Sequence, residues 1–379
     1  MFRLRNVIAI VAALTAIAVA APGHAQQRDN PFLKAKSWAF QLVNLGPEEQ
    51  AKIAASPFDL VVIDSEQFPL DKEVPLTKEE VERMKKKPDG SKRLVIAYFS
   101  VGEAEDYRWY WKPEWTKTKP SFIGKESKEW KHNYLVKYWE PTWQDIVFKF
   151  ADQVIASGFD GFYIDRADAY YYYGDTKEAR DRMSAFIIKL TNYIRSKKPD
   201  AAILVQNAEE LLDRPDYVGG IDGIAKEDLL YGISHKEEPN KKADVDWSTK
   251  LLKDFQKQGK AVFVIEYLTR GDYVRDAKKR LDDLGFVMYM GPRGLASLNM
   301  DAADIGAYNG PRRGPQDPTP ENPSAQTLGA KATRAVQKAG TAVKEGAKTA
   351  TEKVKAGAAA AKEKAKQLLK KSEPAPKTN

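Results

Sequence analysis

The strongest constraint on this chain is a repetition. Short apolar runs rich in β-branched and aromatic residues recur eight times: WAFQLV (38–43), FDLVVIDSE (58–66), RLVIAYFSVGE (93–103), FDGFYIDRAD (159–168), AAILVQNAEE (201–210), IDGIAKED (221–228), AVFVIEYL (261–268) and FVMYM (286–290). Polar or amphipathic stretches separate them, as expected of strands alternating with helices rather than of an all-β chain. The helical stretches are 46–56, 76–87, 143–158, 176–199, 248–259 and 273–285; the first opens on Pro47, and the third carries Ile146, Phe150, Val154 and Ile155 on one face before a Gly stop. Eight β/α units in about 280 residues are the expected content of a single α/β (β/α)8 TIM barrel. A doubly wound open sheet would want a Gly-rich phosphate turn after its first strand, and neither GxGxxG nor GxxxxGK[ST] occurs.

The flanks have a different texture. Two Arg, an apolar stretch from Val7 to Ala21 and small residues ahead of Ala25 read as a secretory signal peptide over 1–25, which predicts export to the periplasm or the extracellular space. The barrel is expected over 30–310, a Pro-rich linker over 311–330 and an Ala/Lys-rich basic tail over 331–379, disordered or loosely helical because it lacks a bulky apolar stripe. The formal charge of the whole chain is +8, which invites a nucleic-acid partner. The tail alone, however, holds 13 Lys or Arg against four Glu, and the leader adds two Arg, so residues 26–330 carry about −3. No specific nucleic-acid partner is expected for the body, and the tail is suited at most to weak contact with an anionic surface or polymer.

With no Cys and only three His, the chain has no disulfide, no thiolate nucleophile and no multi-His metal site. No metal and no organic cofactor is required by its motifs. What it repeats at the ends of apolar runs, where a barrel carries its active site, is carboxylate: Asp64, Glu66, Glu103, Asp165, Asp168, Glu227 and Glu266. Two carboxylates across a cleft are the equipment for glycoside hydrolysis, one protonating the leaving oxygen while the other attacks the anomeric carbon or activates water. Asp165 and Glu227 are the catalytic candidates. Asp64, Glu66, Glu103, Tyr163, Asp168, Tyr170, Asn207 and Glu266 are the candidates for contact with substrate; for Glu66, Glu103 and Glu266 a purely structural role competes, and for Asn207 a helix cap. Six of the eight Trp (Trp109, Trp111, Trp115, Trp130, Trp139 and Trp143) lie between the third and fourth runs, and Tyr170–Tyr173 follow the fourth. Such rings stack on pyranose faces, or pack the loop that carries them. A non-catalytic carbohydrate-binding or envelope scaffold protein is the alternative function.

The order WAFQL, FDLVVID, VIAYFSVGEAEDYR, EPTW, GFDGFYIDRADAY, QNAEELL, IDGIAKEDLLYG and VFVIEYL resembles the family-114 glycoside hydrolases, the endo-α-1,4-polygalactosaminidase group, over roughly residues 35–295. The resemblance implies an endo-acting hydrolase of α-1,4-linked, galactosamine-rich polysaccharide, with Asp165 and Glu227 matching the family's catalytic acids on strands four and six. It also implies a retaining mechanism in which Asp165 is the nucleophile and Glu227 the acid and then the base, although the sequence alone permits those roles to be exchanged.

Overall fold

The computed structural model describes residues 29–67, 74–128, 130–234 and 236–300. The leader, the linker and the basic tail lie outside the described residues. All eight apolar runs form parallel strands of one sheet: β1 (Trp38–Gln41), β2 (Leu60–Asp64), β3 (Leu94–Ser100), β4 (Gly161–Asp165), β5 (Ala202–Gln206), β6 (Gly223–Glu227), β7 (Ala261–Glu266) and β8 (Val287–Met290), in that spatial order. They are buried on both faces, which is why they read as continuous apolar runs instead of alternating ones. Across the seam between β8 and β1 the Trp38 indole N–H donates to the Val287 carbonyl at 3.0 Å, and the Leu42 amide donates to the Leu295 carbonyl at 2.8 Å. The result is a nearly closed (β/α)8 barrel.

Helices α1 (Pro47–Ala55), α2 (Lys78–Lys85), α3 (Pro141–Ala156), α4 (Lys177–Lys197), α5 (Pro215–Gly220), α6 (Lys242–Gln256) and α7 (Gly271–Leu284) fill the connections. Proline opens α1, α3 and α5, where its missing N–H costs nothing. Thr77 and Glu80 form a reciprocal capping box on α2. The short α5, rich in Gly, was not marked by periodicity. In α3 the buried face is Trp143, Val147, Phe150, Ala151 and Val154, with Ile146 and Ile155 at its margins. The expected apolar stripe is therefore rotated, because the indole of Trp143 anchors the helix by donating to the Val101 carbonyl at 2.8 Å.

Ring contacts show which side chains fill the barrel. Phe40 on β1 lies 5.0 Å from Tyr163 on β4, although two strands separate them in the sheet, so both rings cross the interior; Tyr98 on β3 joins them at 6.2 and 6.1 Å. Partners in parallel strands share a face, and faces alternate along each strand. The pairings Asp64 with Tyr98, Tyr98 with Tyr163 and Ser100 with Asp165 carry that interior face upward to Asp165. Those of Gln206 with Ala225 and Glu227 with Ile265 carry it to Gln206 and Glu227. Lys226 and Glu266 have the opposite parity and point out toward the helices.

Candidate active site

Asp165 and Glu227 are the last residues of β4 and β6, at the C-terminal mouth, and both face the interior. Each is held by its own donors. The Tyr98 hydroxyl donates to Asp165 Oδ2 at 2.6 Å, and the Arg166 amide donates to Oδ1 at 2.6 Å. Gln206, on the strand between them, donates through its amide nitrogen to one oxygen of Glu227, and the Tyr267 hydroxyl donates to the other. Burial pushes Asp165 up to about 6, against the Arg166 guanidinium and the Tyr98 hydroxyl; the negative charge of Glu227 adds to the rise. Burial also raises Glu227, reinforced by Asp228 and opposed by Tyr267, Arg293 and Lys226. Tyr163 lies fully buried beneath the pair, its pKa raised by burial and by both carboxylates, and its hydroxyl makes no hydrogen bond among the described residues.

Other nominated acids are engaged in the walls. Arg108, from the loop after β3, is bidentate to Asp64 (2.8 and 2.7 Å), reaches Glu66 at 2.9 Å and meets Glu105 at 2.7 Å, all buried. Three acids share one guanidinium, and burial raises Asp64 and Glu66 despite the Arg108 charge. Glu103 is buried and paired with Arg166, whose guanidinium also donates to the Tyr172 hydroxyl at 2.6 Å. Glu266, outward on β7, accepts the Leu230 amide at 2.7 Å and so fixes the loop after β6. Tyr170 is buried and donates to one oxygen of Glu210 at 2.7 Å, while the Tyr171 hydroxyl donates to the other. Asn207 accepts the Glu227 amide at 3.1 Å, tying the end of β5 to the carboxylate on β6. Asp168 is buried at the start of the 3-10 turn Ala169–Tyr173 and makes no capping hydrogen bond there.

The aromatic loop between β3 and α3 mostly packs on itself. It carries a three-stranded antiparallel sheet (Glu103–Glu105, Asn133–Val136, Ile123–Glu126). Trp111 lies against Trp115 and Tyr134, and Trp115 against Phe122, while Trp139 packs on Tyr173. Of the six Trp in that stretch, Trp109 (39% exposed) and Trp130 (50%) present the most surface. Residues that sequence reasoning passed over are Tyr98, Arg108, Arg166, Gln206, Tyr267 and Arg293. Their signal was weak: a Tyr and a Gln inside apolar runs, and arginines in loops.

The sequence profile described as glycoside-hydrolase family GH114 matches residues 19–305. The chain belongs to this family. Among its relatives are an uncharacterized protein of Methanocaldococcus jannaschii, 36% identical over 280 residues (69% of this chain, 78% of the other), and one of Deinococcus radiodurans, 34% identical over 271 residues (71% and 84%). Two solved structures share the fold. The glycoside hydrolase domain of PelA from Pseudomonas aeruginosa has 20% identity and a TM-score of 0.54, covering 69% of this chain and 96% of that one. Aspergillus fumigatus Ega3 in complex with galactosamine has 17% identity and a TM-score of 0.51, covering 73% and 97%. As a GH114 member, the chain has a glycoside-hydrolase fold.

Proposed function

We propose that this chain is an endo-acting glycoside hydrolase that cuts α-1,4-linked, galactosamine-rich polysaccharide by a retaining mechanism. The observation that carries the reading is the placement of Asp165 and Glu227 on one interior face at the mouth, each fixed by two donors. Asp165, whose charged form is favoured by Tyr98 and Arg166, attacks the anomeric carbon; the proton-holding form of Glu227, favoured by burial and by Asp228, protonates the departing glycosidic oxygen. In the second half, Glu227 takes a proton from water, and the resulting hydroxide displaces Asp165 from the sugar. The net negative charge of the body, about −3, suits a polymer bearing ammonium groups. The galactosamine bound to the structurally similar Ega3 supports the same choice of sugar. The leader at the start of the sequence supports action outside the cytoplasm.

The test is to incubate the full-length protein, Asp165→Ala and Glu227→Ala with de-N-acetylated and N-acetylated galactosamine oligomers. Shorter products are expected from the wild type alone, with the first-formed reducing end in the α configuration by NMR. Product formation undiminished in both variants overturns the assignment, and a β first product overturns the retaining mechanism.

A further inference from the structure

Asp168 takes no part in the two-carboxylate step, yet the fold holds it firmly beside it. It sits in the tight turn from Arg166 to Ala169 that directly follows Asp165. The Ala169 amide closes that turn on the Arg166 carbonyl at 3.1 Å, and Gly102 packs so tightly over it that a Cβ there would lie 2.5 Å from both the Arg166 oxygen and the Ala169 Cβ. Asp168 is 7% exposed, and its side chain makes no hydrogen bond or ion pair with any described residue.

The charged groups whose fields act on it are Arg166, Asp165, Lys226 and Glu103. Both cations are committed elsewhere: Arg166 to Glu103 and Tyr172, and Lys226 to Glu209 and the Asn207 carbonyl oxygen, each at 3.3 Å. A carboxylate buried in this way without a hydrogen-bonding partner is costly, and a cationic donor from outside the protein relieves that cost.

We propose that Asp168 receives the 2-ammonium group of the galactosamine unit whose anomeric carbon faces Asp165, and so selects de-N-acetylated sugar at the point of cleavage. This inference rests on the functional reading above. In a 2-amino sugar the nitrogen sits on the carbon next to the anomeric one, so a group three residues on from Asp165, in the rigid turn that follows it, is placed to meet it. N-acetylation replaces three charged N–H donors with one neutral N–H and adds bulk. Burial lifts Asp168 to about 7, against Arg166 and Lys226 and with Asp165 and Glu103, so a bound ammonium draws it back to the ionised form.

The test compares full-length wild type, Asp168→Asn and Asp168→Glu on de-N-acetylated and N-acetylated α-1,4-galactosamine oligomers, with binding of free galactosamine and galactose measured by NMR titration. In Asp168→Asn the ratio of kcat/KM for the de-N-acetylated over the N-acetylated oligomer falls about 10- to 100-fold, the size of one charge-assisted hydrogen bond. Asp168→Glu recovers part of that ratio, and the Asn variant melts no lower than wild type. An equal loss on both oligomers, or no loss, overturns the inference and leaves the hydrolase reading standing. Wild type that cleaves neither oligomer but binds galactosamine over galactose through Asp168 overturns the hydrolase reading and supports this subsite. Wild type that neither cleaves nor binds overturns both.

Discussion

Replacing Tyr98 with Phe removes one oxygen atom and tests the electrostatic logic of the site. The hydroxyl donates to Asp165 Oδ2 at 2.6 Å from a ring packed between Phe40 and Tyr163, so the ring stays in place when the oxygen is removed. A hydrogen bond to a charged acceptor contributes about 1.5–3 kcal/mol, and at about 1.4 kcal/mol per pH unit its loss raises the carboxyl by about one to two units. Asp165 starts from about 6 because burial outweighs Arg166 and Tyr98. The sign is fixed: Tyr98 favours the ionised form, so its removal favours the protonated one. The nucleophile must be ionised, hence the acid limb of the kcat/KM profile for Tyr98→Phe moves to higher pH by about one to two units. At pH 7 the ionised fraction drops from about nine-tenths to between about one-half and one-tenth, a two- to tenfold loss from titration alone. The alkaline limb, assigned to Glu227, stays where it is because Tyr98 does not touch that residue. The assay is initial-rate hydrolysis of a galactosamine oligomer from pH 4 to 9. An acid limb that does not move, with the variant folded, refutes the assignment of that limb to Asp165.

Arg108→Met leaves Asp64, Glu66 and Glu105 buried around a neutral side chain; a loss of more than about 3 kcal/mol in urea unfolding is expected, partly recovered by adding Asp64→Asn and Glu66→Gln. Arg293→Met strips the bidentate partner from buried Asp228 and costs about 3 kcal/mol by the same measurement. Because Arg293 holds Glu227 down, the same variant moves the alkaline limb of activity to higher pH. For Asp168, lifted from 3.8 to about 7, the folded state holds the proton more tightly than the unfolded chain, so its contribution turns unfavourable as pH rises from 4 to 7. Asp168→Asn therefore matches wild type near pH 4 and becomes more stable by pH 8, with a ceiling of about 4 kcal/mol; urea midpoints whose difference does not widen with pH contradict this.

The barrel was legible because strands buried on both faces announce themselves as unbroken apolar runs, and because eight of them alternate with helices. The mouth was legible only in part. A carboxylate at the end of an apolar run is visible in sequence, but the face it points to is fixed by register, and one residue reverses it. Glu227 and Glu266 read alike, yet Glu227 pairs in register with inward Ile265 while Glu266 lies one step further and faces the helices. Gln206 was hidden by the same parity, since its neighbour Asn207 is the conspicuous polar residue closing β5. Arg108 lies on an irregular loop, and nothing local in EAEDYR tells that its guanidinium spans back to β2.

Three non-glycine residues with positive φ follow directly on the interior groups of the site: Arg166 (60°) after Asp165, Asn207 (53°) after Gln206 and Asp228 (50°) after Glu227. Each such residue costs on the order of 1 kcal/mol, and their recurrence at successive strand ends argues for a shared purpose. An extended residue there would continue the strand and leave the acid on a straight edge. The left-handed turn instead redirects the chain while the following groups stay bonded to the strand ends. The Arg166 amide closes on its own neighbour Asp165, the Asn207 side chain reaches the Glu227 amide, and the Asp228 amide bonds the Ile265 carbonyl of β7. Local backbone strain is thus placed next to Asp165, Gln206 and Glu227, whose carboxylate and amide groups must not move, and is held there by the buried barrel below. Strained main chain and fixed carboxylates on strands four and six are two aspects of one arrangement: a rigid β frame whose rim residues give up ordinary conformations so that their neighbours keep fixed positions.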